Sequence, residues 1–103
     1  MADSFFHRVF TAVRSIPMGY VTTYGAIAKV LGTKDSRRVG QALHANTDPS
    51  NIPCHRVVFS NGRLASGYVF GGPDEQRKLL ELEGVHFTST NTVDLSKCLY
   101  PLK

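Results

Sequence analysis

Apolar residues recur at spacings of three and four along the first part of the chain, where Phe6, Val9, Phe10, Val13 and Ile16 form one stripe and His7, Arg8, Thr11 and Arg14 the other. That period predicts an amphipathic helix, which Asp3 or Ser4 can cap and Pro17-Met18-Gly19 ends. A short β-prone run follows from Tyr20 to Thr22. Thr23 then caps a helix from Tyr24 to Leu31, with Ile27, Ala28 and Leu31 inward and Gly32 as its stop. After a turn, Asp35 or Ser36 caps a third helix from Arg37 to about Ala45. Two helices joined so tightly match a helix-turn-helix, a pattern that also occurs in proteins that never touch DNA.

The second half changes period. The turn-forming stretch NTDPSN, residues 46–51, reads as a loop, and Ile52-Pro53 leads into Cys54 to Phe59, the most apolar β-prone run of the chain. Asn61-Gly62 marks a tight turn, and Arg63 to Gly72 is too rich in glycine for a helix. Pro73 suits the first position of a helix from Asp74 to Glu83, with Leu79, Leu80 and Leu82 as its apolar positions and Gly84 at its end. Val85 to Phe87 and Thr92 to Leu95 read as strands, followed by a loose basic end. The expected class is α/β.

With 103 residues and 42% hydrophobic content, the chain describes one domain, residues 1–103, with a modest core. No apolar run approaches the roughly 18 residues of a membrane span, and the N-terminus lacks a secretory layout, so a cytoplasmic protein without membrane contact is expected. Two cysteines, Cys54 and Cys98, are too far apart for a CxxC pair and too few for a disulfide scaffold; reduced thiols are expected. Lys plus Arg outnumber Asp plus Glu by 12 to 8, which is a mild argument for an anionic partner. Lys29, Lys34, Arg37 and Arg38 place any basic face in the first half, whereas Asp74, Glu75, Glu81 and Glu83 gather on the later helix.

Candidate chemistry starts at Cys54, which His55 follows directly. A base beside a thiol supports the thiolate, the nucleophilic form. In a regular strand, however, neighbouring side chains point to opposite faces, so the two meet only if the backbone leaves strand geometry, a departure Pro53 permits. The alternative is a buried inert cysteine with a surface histidine. Glu83 falls on the helix face that Leu79 and Leu80 turn toward the core, and at the C-terminus, where the helix dipole disfavours a carboxylate. It is either held there for proton handling with His55 or swings into water from a frayed last turn. Cys54, Cys98, His44, His55 and His86 show no zinc-type paired spacing, so no metal is expected. Cys98 reads as a small hydrophobe. Gly71-Gly72 precedes a helix, as phosphate cradles do, but no P-loop or GxGxxG accompanies it.

At IPCHRVV, residues 52–58, the sequence resembles the active-site segment of the O6-alkylguanine-DNA alkyltransferases, the methylated-DNA–protein-cysteine methyltransferases. The resemblance extends through IPMGYVTTYGAIAKVLG (16–32), RRVGQALHAN (37–46), an SGY loop, a GG pair and a helix ending in EG, all in the family's order. It implies a small winged helix-turn-helix DNA-binding domain without a cofactor, in which Cys54 attacks the alkyl carbon on O6 of guanine and keeps it, once per molecule. It further implies that His55 deprotonates Cys54 through a water, that Glu83 orients His55, and that Asn46 holds the active-site turn. Tyr24 and Arg37 would extrude the base, and Gly40 and Ala42 would keep the recognition helix slim. Pro49, Val57 and Ser66-Gly67-Tyr68 would line the alkylguanine pocket. The implied partner is double-stranded DNA containing O6-alkylguanine, approached by a monomer through the minor groove. There base-specific readout is degenerate, affinity comes mainly from phosphates, and a mispaired base costs least to flip.

Two features point to a neighbouring group. The N-terminal domain usual in full-length alkyltransferases has no counterpart here, and the segments PDEQRKLLELEGVHF and VDLSKCLYPLK resemble the small alkyltransferase-like proteins. Those bind alkylguanine in DNA without removing the alkyl group, flag it for nucleotide excision repair, and typically carry Trp or Ala where this chain has Cys54. The sequence therefore supports two expectations: a single-turnover transferase, and a non-catalytic sensor that recruits excision repair. A plain winged-helix regulator would leave PCHRV unexplained.

Overall fold

A computed structural model describes residues 4–48, 50–64 and 70–102. Helix α1 (Ser4–Arg14) follows the N-terminal stripe, with its buried face centred on Phe5, Val9 and Val13. These residues are spaced at i, i+4, so Phe6 and Phe10, expected at the centre, flank the core instead. Ile16 is buried beyond the helix end, as part of the connection into strand β1 (Thr22–Thr23). Thr23 caps helix α2 (Tyr24–Val30) by accepting from the Ala26 N–H, and Asp35 caps helix α3 (Ser36–His44) by accepting from the Arg38 N–H. The helix-turn-helix reading describes this pair. Arg38 also lays its guanidinium 4.3 Å over the Phe5 ring, joining α3 to α1.

The run expected as a strand from Cys54 to Phe59 divides. Cys54–Arg56 form a 3-10 turn, and only Val57–Val58 continue as strand β2. Pro53 has no N–H to donate to a ladder, and with φ −77° and ψ 70° it turns the chain instead. β2 pairs in parallel with β1, Thr22 beside Val57 and Thr23 beside Val58. Because successive strand residues face opposite ways, Val57 joins a core with α1, α2 and α3, whereas Val58 joins a second core with Leu64, Leu80, Val85 and Val93.

Helix α4 (Gly72–Leu82) begins slightly before the expected Asp74, with Gly71 as its cap and Pro73 in its first turn. Leu80 is fully buried, which is worth about 2–3 kcal/mol for a side chain of its size. Leu82 instead stands 84% exposed: three residues of the same period cannot all face inward, and Gln76 takes the buried position one turn before Leu80. A short hairpin follows, β3 (Phe87–Ser89) antiparallel to β4 (Thr92–Val93). The expected strand to Leu95 stops at Asp94, whose side chain accepts from the Ser96 N–H and starts the single-turn helix α5 (Leu95–Cys98). Nor is the following segment loose. The Val21 N–H donates to the Cys98 carbonyl at 2.9 Å and the Tyr100 N–H donates to the Val21 carbonyl at 2.8 Å. No helix among the described residues is long and apolar enough to cross a membrane.

Candidate functional site

The 3-10 turn is braced from two sides. The Asn46 amide, 3% exposed at the exit of α3, donates to the Ile52 carbonyl at 2.9 Å and accepts from the Asp48 N–H at 2.8 Å. Across the turn, the Gln76 amide nitrogen donates to the carbonyls of His55 (3.0 Å) and Val57 (3.1 Å). Both braces satisfy backbone carbonyls that a strand would have paired, which lets this segment leave the ladder, although the Gln76 amide oxygen is itself buried without a partner. Three residues per turn then aim Cys54, His55 and Arg56 in three directions.

Cys54 is 5% exposed and packs among the residues of the helical core. Burial pushes its thiol pKa up, partly offset by a hydrogen bond with Asn46, so its resting form is the thiol. His55 turns toward α4, and its Nε2 lies 2.8 Å from Glu83 Oε2. Burial lowers the His55 pKa, and the Glu83 hydrogen bond opposes that shift without overcoming it, so the ring is neutral near pH 7. With Nε2 donating to the carboxylate, Nδ1 carries the lone pair, which makes it the ring's proton acceptor.

Glu83 ends α4 in a helical conformation, with its N–H bonded back to Leu79 and Leu80. The frayed alternative is therefore not adopted. A residue that sequence reasoning passed over holds it: Arg56 donates from Nε to Oε1 at 2.9 Å and from Nη2 to Oε2 at 2.8 Å, and its Nη1 reaches the Ile16 carbonyl at 2.7 Å. Burial alone would raise the Glu83 pKa, but hydrogen bonds from Arg56 and then His55 outweigh it and keep the carboxyl below its usual range. The signal was in plain view, since Arg56 lies inside the PCHRV segment. Gln76 had no such signal, because a polar residue in a helix of this composition reads as solvated.

On the outer side of α3, Tyr24, Arg37 and Gly40 line one surface concavity of about 420 Å³ with Ser36, Gln41, His44 and Phe59. Nothing stands within 4 Å of where a Gly40 Cβ would point. The Tyr24 ring lies 5.4 Å from that of Phe59, tilted by 43°. Burial pushes the Tyr24 hydroxyl up to about 12, and Cys54 adds to the shift only once it is ionised. Lys29, Lys34, Arg37 and Arg38 are all exposed around this helix pair, where the basic face was expected.

One expected site residue needs correction. Ala42 is wholly buried, facing α1 and α2, so it cannot lie against DNA. Val57 is also wholly buried and packs with the helical core, and its carbonyl accepts from Gln76. Pro49, Ser66, Gly67 and Tyr68 lie outside the described residues. Among the described residues, no three His, Cys, Asp or Glu side chains gather as a metal site would require.

Residues 4–85 match the family described as 6-O-methylguanine DNA methyltransferase, DNA binding domain. The chain is 41% identical over 98 residues to the DNA base-flipping protein of Escherichia coli K12, covering 92% of this chain and 73% of that one. It is 38% identical to Alkyltransferase-like protein 1 of Schizosaccharomyces pombe over 86% of this chain and 83% of that one. Against the methylated-DNA–protein-cysteine methyltransferase of Metallosphaera sedula it is 49% identical, over 80% of this chain and 50% of that one. Among solved structures, S. pombe Atl1 in complex with damaged DNA containing O6-carboxymethylguanine superposes with a TM-score of 0.85 at 33% identity, covering 97% of both chains. Mycobacterium tuberculosis OGT in complex with DNA superposes with 0.73 at 38% identity, covering 82% of this chain and 51% of that one. The small mixed helix-and-sheet domain expected from the sequence is the one these structures share.

Proposed function

Since the chain belongs to the 6-O-methylguanine DNA methyltransferase family through its DNA-binding domain, we propose that it draws an O6-alkylguanine out of duplex DNA and takes the alkyl group onto Cys54. The observation that carries this reading is the neutral His55 held by an ionised Glu83, immediately after a buried thiol. A thiol whose pKa is raised needs a base, and His55 Nδ1 is free to act as one through a water.

The Cys54 proton passes to His55, and Glu83 stabilises the imidazolium that forms. The sulfur then bonds to the alkyl carbon as the carbon–O6 bond breaks, with that electron pair leaving on the guanine oxygen. The proton held by His55 is returned to the guanine. The thioether has no route back, so each molecule acts once.

Arg37 and Tyr24 support the approach to DNA. Arg37 projects from the first turn of α3 and fills the gap left by the departed base, while Tyr24 crowds the backbone beside it. Affinity rests on phosphates met by Lys29, Lys34 and Arg38, as suits a lesion that occurs in any sequence. In this reading residues 1–103 work as a single alkyltransferase-type domain, monomeric and cytoplasmic, with the minor groove as the docking face.

The near-complete mutual coverage with Atl1 favours a second reading, in which the same surface holds the lesion, Cys54 remains unmodified and excision-repair proteins are recruited. Intact-protein mass after incubation with a duplex carrying one O6-methylguanine separates the two. A gain of one methylene, about 14 Da, in the parent and none in Cys54→Ser establishes transfer. An unchanged mass with the duplex still shifted on a gel establishes the sensor.

A further inference from the structure

Phe59 has no part in the chemistry above, yet it stands 47% exposed directly after two fully buried valines of β2. Scattered surface hydrophobics are ordinary, so exposure alone decides nothing. The surroundings do. Phe59 lines the same concavity as Tyr24, Arg37, Gly40 and His44, and its ring touches that of Tyr24. Its backbone is fixed at the base of a tight turn, with its N–H donating to the Arg63 carbonyl at 2.9 Å and its carbonyl accepting from the Gly62 N–H at 2.8 Å. Gly62 has φ +87°, and a Cβ there would come within 2.4 Å of the Val93 carbonyl oxygen, so this turn tolerates only glycine. The ring is thus held out on a rigid support.

We propose that Phe59 and Tyr24 form an aromatic shelf that receives the face of an unstacked nucleobase beside α3, an inference that rests on DNA being the partner. Charge identifies the occupant: exposed Arg37 lines the same concavity as the two rings, and a cation beside aromatic faces suits a polyanion that carries flat bases. A base inside a duplex has both faces covered by its neighbours, so only an extruded or single-stranded base can use the shelf. Tyr24 also packs against the helical core to which Cys54 belongs, so the shelf borders the part of the fold that carries the thiol. Phe59 is then a specificity-determining contact for the base itself, separate from the phosphate contacts of the lysines and arginines.

Fluorescence anisotropy with four probes tests this: a single-stranded oligonucleotide, an abasic strand of the same length, and a duplex carrying either O6-methylguanine or guanine at one position. Phe59→Ala should bind the base-bearing strand and the methylguanine duplex about tenfold more weakly, the scale of one base–aromatic stack. On the abasic strand and the guanine duplex it should stay within about twofold of the parent, since phosphate contacts are untouched. Phe59→Tyr should bind as the parent does, and Phe59→Leu should lose nearly as much as Phe59→Ala. Equal losses on base-bearing and abasic strands, or full affinity in Phe59→Leu, overturn the shelf. Failure of the wider reading looks different, because the parent itself would then not prefer the methylguanine duplex, and the two single strands still decide the role of Phe59. Melting curves confirm that each variant is folded.

Discussion

Arg56 and Glu83 meet in a two-pronged contact, Nε to Oε1 at 2.9 Å and Nη2 to Oε2 at 2.8 Å, and the second oxygen also receives His55. A carboxylate at a helix C-terminus faces the negative end of the dipole, and one that is also partly buried has lost much of its hydration. The guanidinium answers both costs while fixing the plane in which the carboxylate meets the imidazole. In this arrangement the ion pair orients a neighbouring base, whatever it adds to stability.

Glu83→Gln follows directly. An amide keeps the shape and one acceptor, but it cannot balance an imidazolium and turns a donor toward Arg56 or His55. Alkyl transfer, followed by the mass gain over time, should slow on the order of 100-fold. Duplex affinity in the same preparation should stay within about twofold, since Glu83 lies away from the basic face. Unchanged transfer would reduce Glu83 to a structural cap.

The same groups set the response to acid. Both His55 and Glu83 have folded-state pKa values lowered below their ordinary ones. For each, the unfolded chain takes up a proton first as pH falls, so their stabilisation is complete above the ordinary pKa and drains away down to the folded one. Thermal melts should therefore change little just above pH 7 and, as pH falls, decline first through the ordinary histidine range and again through the carboxylate range; on the alkaline side the raised Cys54 and Tyr24 start a separate decline from the ordinary thiol range upward. His55→Gln should remove the first decline and leave the second.

Arg37→Ala should separate DNA handling from chemistry. Binding to a methylguanine duplex should weaken about tenfold, and the slope of log affinity against log salt should fall by about one. Reaction with free O6-methylguanine base, which needs no extrusion, should keep its rate. Equal losses in both assays would remove the base-extruding role.

Asn46→Ala tests the brace on the turn. Its amide serves the Ile52 carbonyl and the Asp48 N–H from a site only 3% exposed. Chemical denaturation should show a loss of about 1–3 kcal/mol from the groups left unpaired. Asn46→Asp should recover part of it, because an oxygen still accepts from Asp48.

The helices were legible because their signals are local. Thr23 and Asp35 cap the helices for which they were read, and Val9, Val13, Ile27 and Leu80 lie in the core as their spacing requires. What stayed hidden depends on partners distant in sequence. Cys54 to Arg56 have the composition of a strand, and only the Asn46 and Gln76 braces show why they form a turn. Arg56 pairs with a carboxylate 27 residues away, so its place in PCHRV marked it as a candidate while its partner stayed hidden. Ala42 was misread for the opposite reason: small size suits both a slim contact helix and tight helix packing, and only the packing is realised. Phe59 passed unnoticed inside a run whose other apolar members, Cys54, Val57 and Val58, are buried.

The bridge at Val21 bears on how the molecule is made. Val21 bonds to Cys98 and Tyr100, while the next two residues pair with Val57 and Val58. During synthesis the helix-turn-helix and the Cys54 segment leave the ribosome well before residues 98–100, so one edge of β1 waits unpaired until the last turn emerges. Parallel pairing between such distant segments is slow to close. Shortening the chain before Tyr100 should leave the Val21 carbonyl without its partner and open that edge to solvent, while the Asn46 and Gln76 braces on the thiol turn stay in place.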